Sequence, residues 1–170
     1  MSIFEAKFRN MIQRIQSIFL LLVGLCLIIF LFVPVWEKQS PNGDQSYSQS
    51  ALYVEKISNL ESEAEYLFIP YAVAGLLALS GACIALFSIG MYKKRKKQML
   101  LSSINTFIIG GTLIISAWWA TTAESTILTN NPGGYQFGLF LPAIALFFNS
   151  LALRFIRKDE KLVRSMDRLR

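Results

Sequence analysis

The chain has 170 residues, enough for one domain, with 54% hydrophobic against 16% charged residues and a mean hydropathy of +0.44. Soluble domains carry about 25% charged residues, so a lipid bilayer is the expected solvent, and the net charge of +6 reads as membrane topology with nucleic acid disfavoured as a partner. Histidine is absent, which removes the commonest general base, metal ligand and proton shuttle of neutral-pH chemistry.

Phe4, Phe8, Met11 and Ile15 recur at helical spacing and interleave with Lys7, Arg9 and Arg14. The pattern fits either a short amphipathic helix at the cytoplasmic lipid surface or the first turns of the helix that follows. Residues 15–35 carry no charge; at about 1.5 Å per residue they reach across about 30 Å of hydrocarbon, and they are read as a first span. A cleavable signal peptide is the rival reading, but the run is too long for one and Pro34-Val-Trp-Glu-Lys38 is not a small-residue cleavage site.

An outer loop is expected over 36–66. In it Pro41-Asn42-Gly43-Asp44 separates extended stretches at 35–39 and 45–53, and Asn-Gly favours a two-residue turn because both turn positions need positive φ. The expectation is a small extracytoplasmic β-hairpin. Leu52, Val54, Ile57 and Leu60, set among acids, then suggest a short helix leading into the next span.

The second span is read at 67–92, with Pro70 in its first turn, where a missing N–H breaks no helical bond. Ala74, Ala78 and Ala82, with Gly81 and Ala85, repeat every four residues and let another backbone approach closely, here inside the chain. A third span is read at 99–121, containing Gly110-Gly111. A second outer loop, 122–136, holds the turn sequence Asn130-Asn131-Pro132-Gly133-Gly134. The fourth span is read at 137–155 with Pro142 early in it, and the tail 156–170 extends that helix, aligning Leu162, Met166 and Leu169 in one stripe. Trp36, Tyr66, Trp118 and Trp119 are expected to form an outer aromatic belt.

Charge sets the orientation. Fifteen of the seventeen Lys and Arg residues precede the first span, lie in Lys93–Lys97, or follow from Arg154 onward; only Lys38 and Lys56 fall on the other side, with Glu37, Asp44, Glu55, Glu61, Glu63, Glu65 and Glu124. The positive-inside bias therefore places both termini in the cytoplasm. The expected fold is all-α: one four-helix transmembrane bundle over 1–170, N-in and C-in, with the small hairpin in the first outer loop.

The expected spans are empty of ionisable groups in their interiors, which disfavours proton relays and coupled carriers, since these need such groups at depth. Ser80, Ser88, Thr112, Ser116, Asn149 and Ser150 read as helix-packing hydrogen bonds. Cys26 and Cys83 lie in apolar runs as small buried hydrophobes, without a Cys-x-x-Cys spacing. The outer Glu37, Glu55, Glu61, Glu63 and Glu65 lack a partner base and read as a solvated acidic loop. No catalytic, cofactor-binding or metal-binding residue is singled out, and no enzyme is expected. The candidate contacts are cationic: Arg14, Lys93, Lys94, Arg95, Lys96, Lys97, Arg157, Lys158, Lys161, Arg164 and Arg168. Beyond the bilayer itself, they point to another inner-membrane protein or to anionic lipid, where each cation contributes about 1 kcal/mol.

Two segments carry a resemblance: Met11-Ile-Gln-Arg-Ile-Gln-Ser17 ahead of the first span, and Arg157-Lys-Asp-Glu-Lys-Leu-Val-Arg-Ser-Met-Asp-Arg-Leu-Arg170 at the end. Together they resemble small four-span membrane proteins of Bacteroidota grouped as a domain of unknown function, number forty-two ninety-three. The resemblance implies a bacterial inner-membrane location and no established activity. A long first outer loop and a short second one also resemble the claudin and peripheral-myelin layout, in topology only, since the claudin pair of loop cysteines is missing. The function expected is that of a non-enzymatic accessory or scaffold subunit of an inner-membrane assembly. The alternative is a small lipid- or solute-binding or transport protein with a crevice beside Thr112, Ser116 and Asn149.

Overall fold

The computed structural model describes residues 3–40, 46–57, 65–67, 70–91, 94–126 and 132–168, with backbone alone for 3–14, 125–126 and 162–168. The first helix, α1 (Ile3–Phe30), is continuous from its amphipathic beginning. It tightens at its end, where the Leu31 and Phe32 amides donate to the Ile28 and Ile29 carbonyls, three residues back. Pro34 then has no N–H to continue a helix and disfavours helical backbone at the residue before it.

Beyond Pro34 the chain becomes sheet. Strands β1 (Trp36–Gln39), β2 (Ser46–Gln49), β3 (Val54–Ile57) and β4 (Glu65–Leu67) run in sequence, and β5 (Gly134–Tyr135) arrives much later. All pairings are antiparallel and the order is β4-β3-β2-β1-β5. Trp36 faces Gln49 across β1–β2 and Tyr135 across β1–β5. Val35 locks the join: its amide donates to Gln49 O at 2.7 Å, and its carbonyl accepts from the Gln136 amide at 2.9 Å. Along β1 the two-residue strand period sends Trp36 and Lys38 inward, 3% and 4% exposed, and Gln39 outward.

The remaining helices are α2 (Ala72–Gly90), α3 (Arg95–Thr126) and α4 (Phe137–Arg168). Neighbours run antiparallel: Arg95 meets Asp159 at one end of α3–α4, Tyr71 stacks edge-on against Trp119 at the other end of α2–α3, and Phe19 of α1 stacks between Phe148 and Phe155 of α4. The sheet lies over the end where α1 stops and α4 begins. The apolar core combines Val23, Leu27 and Phe30 with Ala78, Ala82, Ala85, Ile109, Leu141 and Ala145, and takes in Val35 and Ala51 from the bends beside β1 and β2. The small-residue face of α2 is spent inside the chain, with Ala74, Gly75, Ala78, Gly81, Ala82 and Ala85 all buried.

Large apolar side chains point the other way. Leu76, Phe87, Phe107, Ile114, Trp118 and Phe147 are each 60–81% exposed, while small and polar residues are inside. That inversion suits a hydrocarbon solvent and would be an aggregation hazard in water.

Several expectations are corrected. The chain is not a four-helix transmembrane bundle: among the described residues three helices, Ala72–Gly90, Arg95–Glu124 and Phe137–Lys161, are long and apolar enough to cross a membrane. The apolar part of α1, Ile15–Phe30, measures about 24 Å at about 1.5 Å per residue, because the stretch after Phe30 that hydropathy assigned to a span is turn and sheet. Nor is the fold all-α. The expected hairpin strands do pair, but as the middle of a five-stranded sheet; the turn at 41–45 lies outside the described residues. Residues 54–57 are strand where a helix was expected, and Leu67 is strand, not span. Trp36 is buried under the sheet and takes no part in an aromatic belt.

Candidate functional site

One end of the bundle gathers the N-terminal side of α1, the connection from α2 to α3 and the distal half of α4. It is the basic end. Met91 turns the chain after α2, its amide donating to Ser88 O at 3.1 Å, and the Lys94 amide donates to Met91 O at 2.8 Å as α3 begins. Arg95 Nε then reaches Asp159 Oδ2 at 2.8 Å, with side chains only 17% and 3% exposed. A partly desolvated ion pair of this kind fixes register between two helices more surely than it adds net stability. Around it Lys94, Lys96 and Lys97 are exposed, as are Arg157, Lys158 and Lys161 on α4. Lys94, Arg95, Lys96 and Lys97 line an open groove of about 310 Å³ whose acidic member is Glu160.

Of the cationic candidates, the structure therefore brings Lys94, Arg95, Lys96, Lys97, Arg157, Lys158 and Lys161 to one end, and turns Arg95 inward as a structural partner. Lys93 and the side chains of Arg14, Arg164 and Arg168 lie outside the described residues, as does the Leu162, Met166 and Leu169 stripe.

The second feature is a polar row inside the bundle that the sequence reading missed in its first half. Among the described side chains of α3 the buried positions are Gln98, Ser102, Asn105, Ile109, Thr112, Ser116 and Ala120, spaced by three or four residues, so a single helical face carries them. Five of those seven are polar. Gln98 Nε2 donates to Ser88 O at 3.2 Å, and Asn149 Nδ2 of α4 donates to Ser102 O at 2.8 Å and to Thr106 Oγ1 at 2.9 Å. Asn105 makes no hydrogen bond through either side-chain atom among the described residues, although it is fully buried. Gln16 of α1 is 3% exposed and its Nε2 also lacks a partner there. The signal was available: the spacing from Gln98 to Ser116 is the inward stripe of an amphipathic helix in lipid, with the polarity reversed.

Thr112, Ser116 and Asn149, expected to flank a crevice, all lie buried inside the bundle. Thr112 and Ser116 donate their hydroxyls to Ile108 O and Thr112 O on their own helix, and Asn149 sits lower, against Ser102. Ser80 is exposed and bonds Leu77 O. Cys26 is half-buried and Cys83 exposed.

At the sheet end Lys38 Nζ meets Glu124 Oε1 at 3.0 Å, and Glu124 Oε2 accepts from the Gly133 amide at 2.9 Å. Gln136 Nε2 donates to Glu37 Oε2 at 3.0 Å. These bonds join β1 to the end of α3 and to the segment before α4. Among the described residues no three His, Cys, Asp or Glu side chains converge as a metal ion would need.

Apolar helices of membrane-crossing length, an inverted inside-outside pattern and a sheet over one end define a membrane protein with a helix bundle beneath a five-stranded sheet. The chain belongs to the family described as domain of unknown function DUF4293, whose model matches residues 12–169. No curated protein matches it.

Proposed function

We propose that the protein is a non-enzymatic accessory or scaffold subunit of an inner-membrane assembly in bacteria, Bacteroidota among them, with its basic end and both termini in the cytoplasm. One observation carries this reading: the cationic side chains of the basic end are displayed on helices whose relative position is fixed by the buried Arg95–Asp159 pair. A preset charged surface loses less freedom on binding than a mobile one. The concentration of Lys and Arg at that end supports its cytoplasmic placement.

The test is purification in mild detergent with the neighbours identified by mass spectrometry. The wild-type chain is expected to bring down a stoichiometric membrane partner, and Lys94→Gln/Lys96→Gln/Lys97→Gln is expected to lose it while the chain stays folded. A chain that migrates alone in native membrane extracts sinks the reading. Reporter fusions at either end that were active only in the periplasm would overturn the orientation.

A second reading, a small lipid- or solute-binding or transport protein, draws on the polar atoms inside the bundle that lack a partner among the described residues. Unchanged solute uptake and lipid composition on deletion would rule it out.

A further inference from the structure

Seven side-chain atoms in the basic half of the bundle are buried without a hydrogen-bond partner among the described residues: Gln16 Nε2, Ser88 Oγ, Gln98 Oε1, Ser102 Oγ, both amide atoms of Asn105, and Asn149 Oδ1. They come from all four helices. Elsewhere on α3 the hydroxyls of Ser103, Thr106, Thr112 and Ser116 satisfy themselves on the carbonyl four residues back. Ser88 and Ser102, on the inward face, do not. Buried polar atoms in proteins are almost always paired, because an unpaired one forfeits its hydration with nothing in return.

The unpaired set mixes donors and acceptors and carries no charge. A cation would serve the oxygens and strand the Asn105 and Gln16 amide nitrogens; an anion would do the reverse. Water serves both and bridges groups that cannot reach each other. Gln98 lies one turn inside Arg95, and Asn105 two turns further, with its Oδ1 only 3.1 Å from where a Cβ on Gly81 would stand. Next to it Leu27 approaches Gly81 equally closely, and above it Ile109, Leu27 and Phe30 are all wholly buried in the apolar core.

The structure assigns the basic half of the bundle as a hydrated crevice: ordered water enters from the basic end, is held by Gln98, Ser102, Asn105, Asn149, Ser88 and Gln16, and stops at the Ile109–Leu27 layer. The crevice is independent of any protein partner, so it stands or falls separately from the scaffold reading.

Pulsed radiolysis of water in samples of the wild-type chain reads this directly, since radicals born from bound water oxidise adjacent side chains however little surface those chains expose. Leu20, one turn from Gln16, and Ile156, on the Asn149 face of α4, are 1% and 0% exposed. Both are expected to be oxidised, whereas Phe30 beyond the seal is not, and Asn105→Leu is expected to reduce their oxidation. The side of entry is read with Ag⁺, an ion small enough for such a space, on a Cys26→Ala/Cys83→Ala background in membrane vesicles of both orientations. Loss of the free thiol in Ser102→Cys is expected from the same face that modifies the exposed Lys96→Cys, which marks the basic end without assuming its compartment. Leu20 and Ile156 as unreactive as Phe30 would overturn the proposal, and so would entry of silver from the sheet face alone.

Discussion

Gly138 shows how much a single atom decides here. A Cβ at that position would meet the carbonyl oxygen of Pro34, with Pro34 C and Val33 O each 2.8 Å away; all are backbone atoms that cannot swing aside. Gly138→Ala is expected to lower stability by about 1–3 kcal/mol, the cost of overpacking, seen as a lower unfolding midpoint in detergent. At Gly110 the same methyl finds only Leu146 Cδ1 at 3.8 Å, so Gly110→Ala should be neutral or stabilise by about 0.5–1 kcal/mol through its helix propensity. A Cβ at Gly111 would likewise meet only Leu77 Cδ1, at 4.0 Å, so neither glycine of the pair marks a close approach of backbones within the chain. Tyr66 stands opposite Glu55 in β3–β4 and donates to its Oε1 at 3.2 Å. The carboxylate's charge, then that hydrogen bond, push the phenol above its ordinary pKa, since both favour the protonated form. Absorbance titration should therefore show this phenolate forming at higher pH than an ordinary tyrosine, and Glu55→Gln should move it down. The hydroxyl is exposed to solvent, so no stability change is expected with it.

At the scale of elements, the joins matter more than the elements. Arg95 and Asp159 pin the start of α3 to the distal part of α4 across the helix boundary. Arg95→Met alone removes the guanidinium from a carboxylate that stays buried and is expected to cost about 3 kcal/mol, whereas Arg95→Met/Asp159→Leu should recover most of that loss. Denaturation of the single and double variants in one detergent measures the difference. At the other end Pro34 ends α1 and Val35 enters the sheet, and this is why hydropathy overran the helix. Apolarity continues through Leu31, Phe32 and Val33, but the chain direction does not. A sequence window adds side-chain transfer terms and is blind to a backbone that has lost its next donor.

For the whole molecule the membrane reading makes a sharp demand on the outward face. Phe107 is 81% exposed and lies in the middle part of α3. Phe107→Lys places a charge where hydrocarbon is expected, at a cost of about 2.5–3.5 kcal/mol on insertion scales. The variant should accumulate poorly in the membrane fraction, and Phe107→Leu should accumulate normally. The sheet belongs to the same logic: strand β5 comes from the second loop and closes on β1 from the first, so the two loops form one cap. Lys38 is buried there against Glu124, whose other carboxylate oxygen is held by the Gly133 amide.

The amino-acid sequence by itself determined the apolar helices, the crowding of Lys and Arg at one end and the strand-forming stretches beside Asn42-Gly43, because each of these is a sum over neighbouring residues. Tertiary structure alone decided that Val35 is held between Gln49 and Gln136, that Val54–Ile57 is strand, that Trp36 and Lys38 point inward and that Asn149 meets Ser102 across α3 and α4. Those outcomes depend on partners distant in the chain: Gln49 and Gln136 for Val35, Glu124 for Lys38, Asn149 for Ser102. Hydrogen bonding and burial reward such meetings only after the backbone has brought them about, and no local pattern encodes which of several polar faces will find company.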